Sequence, residues 1–374
     1  MEKYDFDTVV PRRGTNSYKW DTPEQEGVLP MWVADMDFRA APCIVEALQR
    51  RVSHGVFGYT RVPAAYYDAV TDWFARRHGW RIDPHWILYT TGVVPALSAV
   101  IKALTVPGDR VIVQTPAYNC FYSSIRNNGC ELLANRLRYE GGAYTIDFDD
   151  LETKASDPKA KLLLLCNPHN PVSRVWKREE LQALIDLLAR YGAYLIADEI
   201  HADFVYAPEQ FVPVLSLAQK NVLSLCAASK TFNLAGLEQA AMLVPDEAVR
   251  AKINTEMERA GVRSGNLFAL EGTRAAYEYG DAWLDGLMHY LDGNRKHLTA
   301  LVKQELPQAV LTPMEATYLG WLDLRAYGMN CEELMARTLK HGVQFTEGTF
   351  FGEGGEGYFR LTAFGDAEKT KLAA

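Results

Sequence analysis

The stretch Val222-Leu-Ser-Leu-Cys-Ala-Ala-Ser-Lys-Thr-Phe-Asn-Leu-Ala-Gly-Leu237 decides how the rest of the chain is read. A short apolar run, readable as a buried strand, stops at Ser229-Lys230, and a lysine at the mouth of a strand needs a reason. Two earlier apolar runs end the same way. Lys161-Leu-Leu-Leu-Leu-Cys166 opens into Asn167-Pro-His-Asn-Pro171, and Ala193-Tyr-Leu-Ile-Ala197 ends at Asp198-Glu-Ile-His201. An amide, a carboxylate and an amine therefore stand at the exits of successive strands. Ligands of open α/β sheets bind in the crevice beyond the strands' carboxyl ends, so the three groups are expected to converge. One loop lysine is ordinarily just solvated; the three exits together assign Lys230 to a site.

The flanking sequence keeps the same rhythm. Trp86–Thr90, Arg110–Gln114, Cys130–Leu137 and Ala240–Val244 read as further strands, and Glu179–Tyr191 as an amphipathic crossover helix, which implies an α/β fold with a parallel sheet and right-handed crossovers. After the first of these strands, Thr91-Gly-Val-Val-Pro95 opens a helix running to Leu104; Pro95 suits a first turn, and the amides of Gly92, Val93 and Val94 would face an anion. Tyr139–Tyr144 reads as a turn and Phe148–Lys154 as a helix. Asp246–Leu306 is helical in pattern. Tyr318–Leu324 and Gly357–Thr362 read as strands flanking a helix at Cys331–His341, an α+β subdomain. The expected division is an N-terminal arm, extended up to about Asp37, with part of the small domain at 1–45, a large domain at 46–285 and a small domain at 286–374, the boundary falling near Trp283–Asn294.

Composition narrows the classes of function. With 374 residues, 48% of them hydrophobic, the chain can build two domains or one large domain with a satellite. A formal charge of -8 and a pI near 5.6 argue against a nucleic-acid partner, which needs a basic surface. Cysteines 43, 120, 130, 166, 226 and 331 show neither CxxC nor metal-ligand spacing and lie mostly in or beside apolar runs. They read as free thiols in a reducing compartment, with no metal centre expected. No run approaches membrane-spanning length, and Met1–Asp7 lacks the apolar core of a signal peptide, so a cytoplasmic protein is expected.

Four aromatic or charged residues are ambiguous by themselves. Trp32, in the apolar island Leu29–Phe38, is of a kind that usually anchors packing. Tyr59, between the helically spaced segments Pro42–Val52 and Tyr66–His78, is an ordinary loop tyrosine. Tyr118, in Thr115-Pro-Ala-Tyr-Asn119, is either a core aromatic or a ring presented at a strand exit. Arg360 sits inside an apolar strand, where an arginine is ordinarily paired with a carboxylate of the protein.

The motifs Asn167-Pro-His-Asn-Pro171, Asp198-Glu-Ile-His201 and Ser229-Lys-Thr-Phe-Asn-Leu-Ala-Gly236, in this order, resemble the fold type I pyridoxal-phosphate (PLP) enzymes, the class I/II aminotransferase superfamily. The resemblance runs from about Leu29 to Gly365. In its details, Met31-Trp-Val-Ala-Asp-Met-Asp-Phe38 among them, the chain is most similar to the cystathionine β-lyase, or cysteine-S-conjugate β-lyase, branch.

This resemblance implies a large, mostly parallel sheet domain with a smaller α+β domain, and pyridoxal 5'-phosphate as cofactor. It makes Lys230 the residue that holds the cofactor covalently and then moves the Cα proton. Asp198 would pair with the pyridine nitrogen and Asn170 with the phenolic oxygen, while Ser229 and the amides of Gly92, Val93 and Val94 hold the phosphate. Tyr118 would stack on the ring and is the candidate to stabilise or protonate the departing sulfur. Trp32 would lie at the substrate entrance and Arg360 would fork onto the substrate's α-carboxylate. Tyr59 would cross a homodimer interface to the other subunit's phosphate site. His201 stands where most aminotransferases have a tyrosine and Glu238 where they have a phosphate-binding arginine, and both agree with the lyase branch. Ser173 replaces the glycine usual after Asn-Pro-x-Asn-Pro-x and leaves that turn open. The chain also ends at Ala374, soon after Arg360, where the family continues into a longer closing helix.

The expected activity is elimination of a thiol from cystathionine, cystine or related cysteine S-conjugates, giving pyruvate and ammonia. An aminotransferase would use the same residues. A PLP-bound regulatory protein is the third reading, against which the retained Lys230 and its neighbours argue.

Overall fold

Strands buried on both faces read as unbroken apolar runs, and Leu162–Leu165 shows why. Side chains alternate along a strand, so Leu163 and Leu165 enter the core on one face of the sheet while Leu162 and Leu164 enter the core on the other. The computed structural model describes residues 4–22, 27–262 and 265–362. Its main sheet has seven strands, β1 (Ile87–Thr90), β2 (Arg110–Thr115), β3 (Glu131–Arg136), β4 (Ala160–Cys166), β5 (Tyr194–Asp198), β6 (Val222–Cys226) and β7 (Ala240–Leu243), in spatial order β1-β7-β6-β5-β4-β2-β3. Strand β7 is antiparallel to both its neighbours, and the remaining pairs are parallel. The α/β reading is borne out.

Register sets the exits level with one another. Cys166 pairs with Asp198, and Asp198 with Leu225, so β4, β5 and β6 end side by side. Between β4 and β5 runs the helix Arg178–Tyr191, whose entry is fixed by the Lys177 N–H donating to Glu180 (2.8 Å) and whose end is set by Gly192 in the left-handed region (φ 70°).

A second sheet, β8 (Val310–Leu311), β9 (Leu319–Asp323), β10 (Thr346–Glu347) and β11 (Tyr358–Thr362), is antiparallel in the order β8-β9-β11-β10. It packs Leu322, Phe359 and Leu361 against Leu298 and Val302 of the 25-residue helix Asp281–Glu305. That helix is continuous through Trp283–Asn294, where a boundary was expected. The N-terminal arm joins the same region, since Leu29–Pro30 pairs in parallel with Val343–Gln344.

Two segments differ from the sequence reading. Tyr139–Tyr144 belongs to a hairpin of Arg138–Glu140 and Ala143–Thr145, turned by Gly141-Gly142 at φ 59° and 89°; arms of three residues are too short for alternation to be read. The arm is not extended throughout, because Tyr18–Asp21 forms one helical turn capped by Ser17. That turn buries Lys19 between Asp37 (2.9 Å) and Asp35 (3.4 Å). The end of the resemblance near Gly365 and the question of a closing helix lie outside the described residues. Among the described residues no helix is long and apolar enough to cross a membrane.

Candidate active site

The strand exits open into one cavity of about 790 Å³. Lys230 enters it from the short turn Ala228–Thr231 that follows β6, and its Nζ donates to the carbonyl of Ala34 (2.7 Å). Loss of water lowers this amine to about 8, helped by the charge of Arg360 and resisted by Asp35 and Asp198. Asp198, at the end of β5, is 3% exposed. Among the described residues its side chain accepts one hydrogen bond, from the Ile200 N–H (3.2 Å). Burial pushes the carboxyl up to about 7 against the pull of that N–H and of Lys230. His201 is also buried, with Nδ1 unpartnered among the described residues. Burial, then the charges of Lys230 and Arg360, hold the ring down at about 3, so the imidazole is neutral.

On β11, Arg360 lies 5% exposed and donates through Nη2 to the carbonyl of Trp32 (2.7 Å) and through Nη1 to Asn170 Oδ1 (3.3 Å). Among the described residues its Nε has no partner, and no carboxylate lies within ion-pairing distance. Burial lowers it to about 10. The ordinary expectation of a protein carboxylate partner is therefore not met, and a buried guanidinium is left with unused donors facing a cavity.

The helix Val93–Leu104 points its start into the same cavity, after Gly92. Pro95 has no N–H, and the amides of Val93 and Val94 have no intrahelical acceptor, so they are free to hold an anion alongside Ser229. Tyr118 caps the next helix, Asn119–Asn127, and burial raises its hydroxyl so that it remains a proton donor. Trp32 lines the cavity, its ring meeting Tyr18 at 5.1 Å and its carbonyl accepting from Arg360 and from Thr346 Oγ1 (2.8 Å). Tyr59 is the one candidate not brought here: it is fully exposed, near Val56 and Phe57, and does not line the cavity. Glu238 does line it, in the left-handed region (φ 54°) and without an ion-pair partner among the described residues.

Several supporting residues were not read from the sequence. The Ala34 carbonyl also accepts from the Tyr318 hydroxyl (3.2 Å), and a backbone acceptor leaves no signal in residue type. Behind Asp198, Glu199 is buried and receives Asn167 Nδ2 (3.0 Å), the Val214 N–H (3.0 Å) and the Ser224 hydroxyl. Burial still pushes Glu199 up to about 7. His169 donates from Nε2 to the Pro116 carbonyl (2.8 Å), tying the exit of β4 to that of β2, which carries Tyr118. A polar residue at the end of an apolar run was the available signal for Asn167 and His169. Ser173 adopts φ 59°, the conformation a glycine would take, and its hydroxyl bonds to Thr317 Oγ1 (2.7 Å) and the Leu319 carbonyl.

These groups fit pyridoxal 5'-phosphate. A lysine amine with a lowered pKa, a buried carboxyl short of donors, and free amides at a helix start match its aldehyde, ring nitrogen and phosphate.

Comparison with known proteins agrees. The family model for aminotransferase class I and II matches residues 27–374. The chain is 46% identical to the cystathionine β-lyase PatB of Bacillus subtilis (strain 168), over 96% of this chain and 95% of that protein. In structure it resembles cystalysin from Treponema denticola, which contains a pyridoxal 5'-phosphate cofactor (TM-score 0.95, 32% identity, 99% of this chain and 96% of that one). It also resembles the PLP-bound C–S lyase from Staphylococcus hominis (TM-score 0.92, 30% identity, 99% and 96%). The chain belongs to the aminotransferase class I and II family.

Proposed function

We propose that this protein is a PLP-dependent C–S β-lyase that releases a thiol from cystathionine, cystine or a related cysteine conjugate and leaves pyruvate and ammonia. The observation that carries the reading is Arg360, a buried guanidinium with no carboxylate partner among the described residues, in one cavity with Lys230 and Asp198. It suits the α-carboxylate of an amino acid, which completes its hydrogen bonds in a forked geometry. The 46% identity to a cystathionine β-lyase supports elimination over transamination.

When bound, the cofactor supplies an electron sink for the pair left at Cα. Lys230 would hold it covalently and, as a free amine whose pKa burial lowers, would take the Cα proton. Asp198 would keep the ring nitrogen protonated, and Asn170, whose Oδ1 accepts from Arg360, would donate to the phenolic oxygen. Neutral His201 packs beside this group without adding charge. Gly92, Val93, Val94 and Ser229 hold the phosphate. Tyr118 protonates the departing sulfur.

The working unit is a homodimer in which Tyr59 of each copy serves the phosphate site of the other. Its full exposure, in a run that also exposes Val52, Val56 and Phe57, supports this arrangement. The six unpaired cysteines support a cytoplasmic setting. Borohydride reduction of the protein equilibrated with PLP, followed by peptide mapping, tests the assignment of the site. The label is expected on Lys230 and lost in Lys230→Ala; a label on another lysine overturns it.

A further inference from the structure

Away from Lys230 and Arg360, the cavity is walled by Tyr18, Trp32, Met335, Leu339, Phe345 and Phe350. Among the described residues lining the whole cavity, Lys230 and Arg360 are the only lysine or arginine, and both are occupied at the amino-acid end. Besides Asp198, two carboxylates line the cavity, Glu238 and Glu347; the one next to Phe345 and Phe350 along the chain is Glu347, half-buried at the end of β10, with no ion pair or side-chain hydrogen bond among the described residues. The region that must hold the sulfur substituent is thus apolar and, where charged, acidic.

Resting on the β-lyase reading, we infer that the outer cavity takes an uncharged, apolar substituent on sulfur and selects against one bearing a carboxylate, with Glu347 as the discriminating residue. A carboxylate entering here sheds water, finds among the described residues no lysine or arginine beyond the two at the amino-acid end, and meets a like charge. An alkyl or aryl group loses nothing polar and covers the aromatic walls. The same logic ranks cystathionine, whose distal end carries a carboxylate beside its ammonium, below an alkyl thioether of similar length. The reaction balances without an oxidant. The Cα–H and Cβ–S bonds break, sulfur leaves with the bonding pair and gains a proton, and the remaining aminoacrylate takes up water, so that thioether plus water gives thiol, pyruvate and ammonium.

Three amino acids of nearly equal length separate charge from size: S-propylcysteine, S-(2-aminoethyl)cysteine and S-carboxymethylcysteine. With the PLP-loaded enzyme, affinity is read from the change in cofactor absorbance and turnover from pyruvate. The propyl compound is expected to bind best and the carboxymethyl compound worst, by about tenfold or more, with the aminoethyl compound between them. Glu347→Gln is expected to narrow the propyl-to-carboxymethyl ratio, and Glu347→Lys to reverse the order of the two charged compounds. Equal affinities, or ratios unmoved in both variants, overturn the inference. Ranked affinities with no pyruvate from any compound support the selectivity and overturn the β-lyase reading instead.

Discussion

Arg360 and Asp198 are both buried at one cavity, and among the described residues neither meets the partner that its charge requires. Arg360→Lys keeps the charge but loses the planar fork. It is expected to weaken binding of amino-acid inhibitors by roughly 1.5–3 kcal/mol, measured by titration, and an unchanged affinity would remove Arg360 from the substrate site. Asp198 makes a prediction for the cofactor-free protein. Its carboxyl ionises near 3.8 when unfolded and at about 7 when folded, so between those values the folded state binds the extra proton. Stability therefore falls as pH rises through that window, by an amount on the order of a few kcal/mol, and stays lower above it. Asp198→Asn is expected to raise Tm over the parent at pH 8 and to give no such gain near pH 4; calorimetry at the two values decides it. Lys230, Asp198 and Asn170 were legible because polar residues closing apolar runs are conspicuous. Ala34 and the unpaired state of Arg360 were not, since a carbonyl acceptor and a missing carboxylate are properties of packing.

At the scale of elements, the strands of the main sheet were legible because burial on both faces removes polar residues from them. The exceptions were short. The hairpin around Gly141-Gly142 has arms too brief for a period, and the turn at Tyr18–Asp21 owes its place to the burial of Lys19 against Asp35 and Asp37. Ser173 shows how a departure from a motif is accommodated. Its left-handed backbone is disfavoured for a residue with a Cβ, yet its hydroxyl gains partners on Thr317 and Leu319. Ser173→Ala keeps the unfavourable φ and loses the hydrogen bonds, so it is expected to cost about 1–3 kcal/mol in denaturant unfolding. Ser173→Gly loses the same bonds but relieves the backbone, and is expected to be the more stable of the two by about 1 kcal/mol. The reverse order would show that the backbone at residue 173 carries no such penalty, and unchanged stability in both variants that the hydroxyl does not hold it.

For the whole molecule, the α/β architecture and the convergence of the strand exits followed from the chain's own pattern, while a shared site rests on Tyr59, which one copy leaves in solvent. Mixing Tyr59→Phe protein with Lys230→Ala protein is expected to recover activity above either parent, because a hybrid pair has one site with both lesions and one with neither. No recovery would argue that each copy works alone. Whether the Cβ–S bond breaks once the Cα proton has gone to Lys230 is decided by product analysis on cystathionine and cystine with and without added 2-oxoglutarate. A β-lyase gives pyruvate, ammonia and a thiol or persulfide at the same rate in both cases. Turnover that appears only with 2-oxoglutarate, and yields no pyruvate, would contradict the β-lyase reading and make the protein an aminotransferase.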